Sequence, residues 1–210
     1  MIEVIIADDH PIVRAGLKQI IFEEPGIEVT GEAASGSALL EKVRHQSYDV
    51  VLLDLSMPGM DGLDALKQLQ IEKPRLPVII LTIHPESQYA LRILKAGASG
   101  YLTKESASDE LIRAIRKVHA GGKYITPSLA EKIAFALDDG ASGLPHESLS
   151  DREYQVLCLL GSGKTVSQIA EELALSVKTV STYRSRILEK MQMENNAELI
   201  HYAIRNGLAE

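Results

Sequence analysis

Five residues stand out for the chemistry that their types and positions allow. Asp8 and Asp9 close the run "EVIIADD", Asp54 closes "DVVLLD", Thr82 closes "PVIILT" and Lys104 follows "SGYLT". Each run is short, apolar and rich in β-branched residues, as a buried strand is, and each delivers polar groups at its carboxyl end. A carboxylate after "VVLL" is costly unless it is exposed, paired or used. If these strands neighbour each other in one parallel sheet, three carboxylates meet with little basic charge nearby, and like charges that close repel. A hard divalent cation relieves that repulsion, and a few carboxylates with water and room for a phosphate oxygen suit Mg2+. With the Thr82 hydroxyl and the Lys104 ammonium, the set describes phosphoryl transfer. Asp54 is the nucleophile, and the cation and Lys104 offset charge on the transferred group. Taken singly, an Asp at a strand end caps a helix and a loop Lys is solvated. Five such residues at the ends of four strands argue for a site.

The elements that must position these groups follow from periodicity. Strand-like runs at 3–8, 27–33, 49–54, 77–82 and 99–103 alternate with helical periods at about 10–23, 36–46, 62–72, 86–96 and 106–120. This alternation predicts an α/β domain over 1–121 with a doubly wound five-stranded parallel sheet, helices on both faces, and a ligand site beyond the strand ends. Gly97 and Gly121-Gly122 stand where left-handed helix caps belong, and Pro58-Gly59 supplies a tight turn over the site. A linker over 122–147 contains a helical stretch at 128–139, and the Gly-, Ser- and Pro-containing connector spans 139–148. Residues 148–210 read as a second, smaller all-α domain with helices at 150–161, 166–174, 177–191 and 196–206. Ser150 with Glu153 and Thr165 with Gln168 fit capping boxes, and Gly207 can close the last helix.

Composition narrows the class. A 45% hydrophobic content suits packed cores, and no stretch reaches the roughly 20 apolar residues that span a bilayer. The N-terminus "MIEVIIADDH" meets two acids where a signal peptide would stay apolar, so a cytoplasmic protein is expected, with no membrane partner. The single cysteine, Cys158, forms no internal disulfide and reads as a buried structural thiol in "YQVLCLL". His10 and His84 start loops without a partner at ligand spacing and are not read as metal ligands.

The net charge of −7 argues against a broadly basic surface, but the charge is uneven. Residues 176–190 hold four basic residues, Lys178, Arg184, Arg186 and Lys190, against one acid, Glu189. In this helix Val180, Ile187 and Met191 share the side that should face a core. Opposite them lie Lys178, Ser181, Thr182, Ser185 and Glu189, a face of short hydrogen-bonding groups that fits the second helix of a helix-turn-helix in a DNA major groove.

"ADDH", "LLDLSMPGMDG", "LT" at 81–82 and "GYLTK" resemble the receiver domain of two-component response regulators. "LSDREYQVLCLLGSGKTVSQIAEELALSVKTVSTYRSRILEKM" resembles the LuxR/FixJ-type helix-turn-helix, and the two together resemble a NarL/FixJ-type response regulator over nearly the whole chain. The resemblance implies a flavodoxin-like receiver with Asp54 as phosphoacceptor. It implies Mg2+ held by Asp8, Asp9, Asp54 and the main-chain carbonyl of Ser56, with Thr82, Tyr101 and Lys104 as the switch. Carried over by position, Ser181, Thr182 and Ser185 contact bases, while Lys178, Thr179, Tyr183, Arg186 and Lys190 contact phosphates. The implied partners are a sensor histidine kinase, double-stranded promoter DNA, RNA polymerase and a second copy of the chain after phosphorylation. Three positions depart from the commonest pattern: Ile83 and His84, which bear on water's access to the phosphoryl group, and Tyr183, where many relatives have His. An aspartyl-phosphate phosphatase uses similar groups, but "ADDH" lacks its DxD spacing. A transcription factor whose receiver answers a partner rather than phosphate is the alternative.

Overall fold

The structure, a computed structural model, describes the chain except for residues 84–85, 127–128, 132–143, 174 and 210, and gives the backbone alone at 86–89 and 91. His84, most of the helix expected over 128–139 and residues 139–143 of the expected connector lie outside the described residues. The chain divides into two compact units, Met1–Ala130 and Glu131–Glu210.

In the first unit, β1 (Ile2–Ala7), β2 (Ile27–Ala33), β3 (Val50–Asp54), β4 (Val78–Thr82) and β5 (Gly100–Thr103) form one parallel sheet in the order β2-β1-β3-β4-β5. They alternate with α1 (Pro11–Phe22), α2 (Gly36–His45), α3 (Gly62–Glu72), α4 (Glu86–Lys95) and α5 (Ala107–His119). The expected elements are present to within two residues at their ends. The apolar runs are apolar throughout because β3 and β4 are buried on both faces. Val4, Ile6, Val50, Leu52, Ile79 and Leu81 pack with Leu17 and Ile21 of α1 and with Leu111 and Ile115 of α5. Alternation sends Ile5, Val51, Leu53 and Ile80 to the other face, where α2 and α3 bury Leu39, Leu40, Leu66 and Leu69. After β1 the chain builds β2 on one side and then β3 on the other, so the order reverses between β1 and β3. That is where Asp8 and Asp54 emerge.

Residues beyond 121 continue this unit. Tyr124 bridges Gly100 in parallel, its amide donates to the Ser99 carbonyl at 2.8 Å, and Lys123 Nζ donates to the Ala98 carbonyl at 2.9 Å. The Tyr124 ring is buried, with the Arg113 and Lys117 cations 6.0 and 5.7 Å from its centroid.

The second unit contains α6 (Asp151–Gly161), α7 (Val166–Glu172), α8 (Val177–Met191) and α9 (Asn196–Arg205). Both expected capping boxes are formed, at Ser150 with Glu153 and Thr165 with Gln168. Val180, Ile187 and Met191 are the buried residues of α8, as their spacing predicts, and Cys158 is buried. The expected connector is ordered at its end: Pro145–Ser148 forms a 3-10 turn, and His146 Nδ1 lies 2.7 Å from the Tyr202 hydroxyl. Composition pointed to looseness there, but a Pro that starts a turn and a His that meets two tyrosine rings hold it. Among the described residues, no helix is long and apolar enough to cross a membrane.

Glycine sets how closely α3 approaches the site. A Cβ on Gly62 would lie 2.0 Å from the Asp54 carbonyl oxygen and 2.7 Å from Leu55 Cα, both backbone atoms, while Gly16 in α1 has nothing within 4 Å. Gly62→Ala is therefore expected to cost about 3 kcal/mol, because backbone at the end of β3 has to shift. Gly16→Ala is expected to add about 0.5–1 kcal/mol by lowering the entropy lost in a helix. Urea unfolding of both variants checks the pair, and similar midpoints for the two would contradict it.

Candidate functional site

The register of the sheet brings the acids together. Ala7 pairs with Leu53 and Asp54 with Leu81, so Asp8 and Asp54 leave adjacent strands at the same edge. Both are almost fully buried, at 1% and 2% exposure. Lys104 crosses from the end of β5 to both: Nζ lies 2.8 Å from Asp8 Oδ2 and 2.9 Å from Asp54 Oδ2. Its own position is fixed, because its amide donates to the Thr82 carbonyl at 2.8 Å.

The electrostatics follow from that crowding. Burial pushes the Asp54 carboxyl above the usual carboxylate range and the Asp8 charge adds to the push, against the Lys104 hydrogen bond and charge and the Ser56 backbone. Burial alone would lower the Lys104 ammonium, but its bonds to Asp8 and Asp54 outweigh this and raise it. Asp54 Oδ1 is buried with no hydrogen-bond partner among the described residues. Asp8, Asp9, His10 and Asp54 each offer a ligand atom, and these atoms lie within 4.8 Å of one another. Three hard carboxylates and an unpartnered buried oxygen fit a divalent cation.

His10, set aside on sequence grounds, joins this cluster. Its Nδ1 lies 2.8 Å from Asp9 Oδ1 and 3.3 Å from Asp8 Oδ1, and its amide donates to Asp8 Oδ1 at 2.8 Å. Its place directly after the acid pair was the available signal. Thr82 and Tyr101 are buried at 0% and 1% exposure on β4 and β5, where Thr82 pairs with Thr103 and Tyr101 with Ile80. Gly59, at φ 78°, makes the turn after β3, and the Asp61 carboxylate caps α3 by accepting from the Asp64 amide at 2.8 Å. Ile83, next to the site, is 68% exposed.

On α8, Ser176 caps the N-terminus by accepting from the Thr179 amide at 3.0 Å. Lys178, Thr179, Thr182, Tyr183 and Arg186 line one shallow cavity of about 310 Å³. Lys178 and Arg186 are exposed and make no ion pair among the described residues. Thr182 Oγ1 donates to the Lys178 carbonyl at 2.9 Å and Ser185 Oγ to the Ser181 carbonyl at 3.1 Å, which leaves oxygen lone pairs facing out. Two cations of the strip are engaged inside the fold. Lys190 Nζ pairs with the buried Glu153 at 2.6 Å, and Arg184 Nε donates to Asn196 Oδ1. Val177, not singled out from sequence, is half exposed at the first turn of α8.

A doubly wound α/β unit with an acidic site at its switch point, followed by a helical unit with a helix-turn-helix, defines a two-module signalling protein. Residues 4–116 match the response regulator receiver domain and residues 147–203 the bacterial regulatory proteins of the luxR family. The chain belongs to the NarL/FixJ family of response regulators. It is 40% identical over 209 residues to the response regulator UvrY of Escherichia coli K12, covering 99% of this chain and 96% of that one. It is 39% identical to the response regulator GacA of Pseudomonas protegens, covering 100% and 99%. Among solved structures, RcsB from Salmonella enterica serovar Typhimurium, bound to promoter rprA in the presence of the phosphomimetic BeF3−, matches with a TM-score of 0.64 at 31% identity, covering 96% of this chain and 98% of that one. A structure of two RcsB dimers bound to two parallel DNAs matches at 0.67 and 30% identity, covering 96% and 98%.

The raised Asp54 carboxyl has a consequence for stability. The folded state holds its proton more tightly than the unfolded chain does, so this group's contribution is lost as pH rises through the folded value and is restored below about 4. Asp54→Asn removes the penalty. Without divalent cations at pH 7 it should melt roughly 2–4 °C above wild type if about 1 kcal/mol of the penalty for burying the charge is relieved, with the gap closing toward pH 4. Melting curves across pH check this, and an equal or lower melting temperature at pH 7 would contradict it.

Proposed function

We propose that the chain is a DNA-binding transcriptional response regulator in which Asp54 accepts a phosphoryl group from a sensor histidine kinase. The observation that supports this most is the buried excess of carboxylate at the switch point: two anions on one ammonium, with an unpartnered Asp54 oxygen beside them. In this reading Asp8, Asp9, Asp54 and the Ser56 carbonyl hold Mg2+, which when bound screens the phosphoryl oxygens and the carboxylates from one another. The Asp54 carboxylate attacks phosphorus, the P–N bond of the phosphohistidine breaks, and the imidazole leaves with the bond's electron pair and takes up a proton. Lys104 keeps its proton and moves from carboxylate to phosphoryl oxygen.

The product carries about −1.5 to −2 charge beside the Thr82 hydroxyl and Lys104. Thr82 turns toward that charge and Tyr101 follows into the space it leaves, which changes the receiver surface. The modified state favours a dimer, and the dimer places two α8 helices in successive major grooves about one helical turn apart. Lys178, Thr179, Tyr183 and Arg186 anchor phosphates, and Ser181, Thr182 and Ser185 face bases. Lys190 reaches a phosphate only by leaving Glu153. RNA polymerase is a further partner of the bound dimer.

Intact-protein mass spectrometry after incubation with Mg2+ and a phosphoramidate donor tests the first step: one added phosphate is expected on wild type and none on Asp54→Asn. Stoichiometric acid-labile phosphate on the variant would refute the assignment. For DNA, Lys178→Ala should weaken binding to all sequences and reduce the salt slope by about one. Thr182→Ala should shift sequence preference by about 1–3 kcal/mol at one base pair. Uniform losses on every sequence for both would contradict the roles.

A further inference from the structure

Arg14 lies on α1, outside the acid cluster, yet its guanidinium reaches the backbone that carries it. Nη1 donates to the Asp8 carbonyl at 2.6 Å, and Nε donates to Glu32 Oε2 on β2 at 3.2 Å. The other Glu32 oxygen accepts from Lys18 Nζ at 2.6 Å, a bond that does most to hold the Glu32 carboxyl below its usual range. The Arg14 side chain is largely buried, at 16% exposure. On the opposite side of the same residue, the Asp8 amide donates to the Ala33 carbonyl of β2 at 3.1 Å. Asp8 is therefore gripped at both its N–H and its C=O, each time by a group that β2 supplies or orients.

The peptide between Asp8 and Asp9 sets where the second carboxylate points relative to the first. A planar peptide leaves only the flanking dihedrals free, and a guanidinium locked to both the carbonyl and Glu32 removes most of that freedom. We infer that Arg14, braced by Glu32, is a positioning residue that fixes the Asp8–Asp9 peptide and so preorganises the acid pair for a divalent cation. The inference rests on the metal reading given under Proposed function.

Simple electrostatics predicts the opposite sign, which makes the test decisive. Arg14 is a cation near a cation site, so deleting its charge should tighten Mg2+ binding if charge alone matters. If geometry matters, deletion weakens binding by about tenfold, as loss of an outer-shell partner typically does. Arg14→Lys keeps the charge but cannot serve both acceptors with a planar fork, so it should fall between wild type and Arg14→Ala.

The experiment is isothermal titration of the full chain with MgCl2 for wild type, Arg14→Ala and Arg14→Lys, with melting curves taken without Mg2+. A raised dissociation constant in the order wild type, Arg14→Lys, Arg14→Ala supports the inference. An unchanged or tighter constant for Arg14→Ala overturns it while leaving the metal site standing. If Arg14→Ala does not fold, Arg14→Lys decides, since an unchanged constant there overturns the inference equally. No Mg2+ binding by wild type would instead overturn the metal reading and this inference with it.

Discussion

Two buried carboxylates share one ammonium at the edge of the sheet, and the rest of the receiver is arranged around that imbalance. Asp8 and Asp54 lie on adjacent strands, Lys104 arrives from the far edge strand, and the three groups are largely hidden from water. In a low-dielectric setting the surplus negative charge is expensive. In the proposed function that surplus is what draws a cation to the site, and the buried Asp54 Oδ1, which has no hydrogen-bond partner among the described residues, is the oxygen left for attack. Stability is given up locally so that the site is primed, a pattern expected where function rather than packing sets the residue.

The fold supplies what such a site needs: strands stiff enough to hold the charges together. β3 and β4 are buried along their whole length, and their register leaves no freedom for Asp54 to move away from Asp8. Gly62 lets α3 begin against the Asp54 carbonyl, and its amide donates to the Leu55 carbonyl at 3.0 Å, so the loop after the acid closes back on the end of β3. The opposite design holds in the second unit. There the core residues of α8 face inward, and the outer face carries short hydroxyls whose protons turn back onto the helix. Exposed acceptors and flanking cations suit the base and phosphate contacts proposed for this face.

Much of this was legible in the sequence because it is encoded locally. Apolar runs of strand length, helical periods and capping residues at Ser150 and Thr165 fixed the element boundaries, and residues such as Asp54 and Lys104 declared themselves by where the runs ended. What was not legible depends on partners far apart in the chain. Lys190 reads as a free cation on a basic helix until the fold brings the buried Glu153 to it. Tyr124 lies past the last helix predicted for the α/β domain and joins the sheet through Gly100, where the missing side chain admits it. Pro145–Ser148 looks like loose connector by composition, but His146 finds the rings of Tyr154 and Tyr202. Arg14 gave no local sign that its target would be a backbone carbonyl.

In the proposed function, charge placed on Asp54 is read by the helix-turn-helix as a change in DNA affinity. The most direct measurement compares binding to one operator duplex, at fixed salt, for the unmodified and the fully phosphorylated chain, with phosphate occupancy measured on the same sample. Tighter binding by the phosphorylated chain is expected, by a factor in the range of about 5–150 that coupling between sites usually spans. Equal affinities at full phosphate occupancy would contradict it.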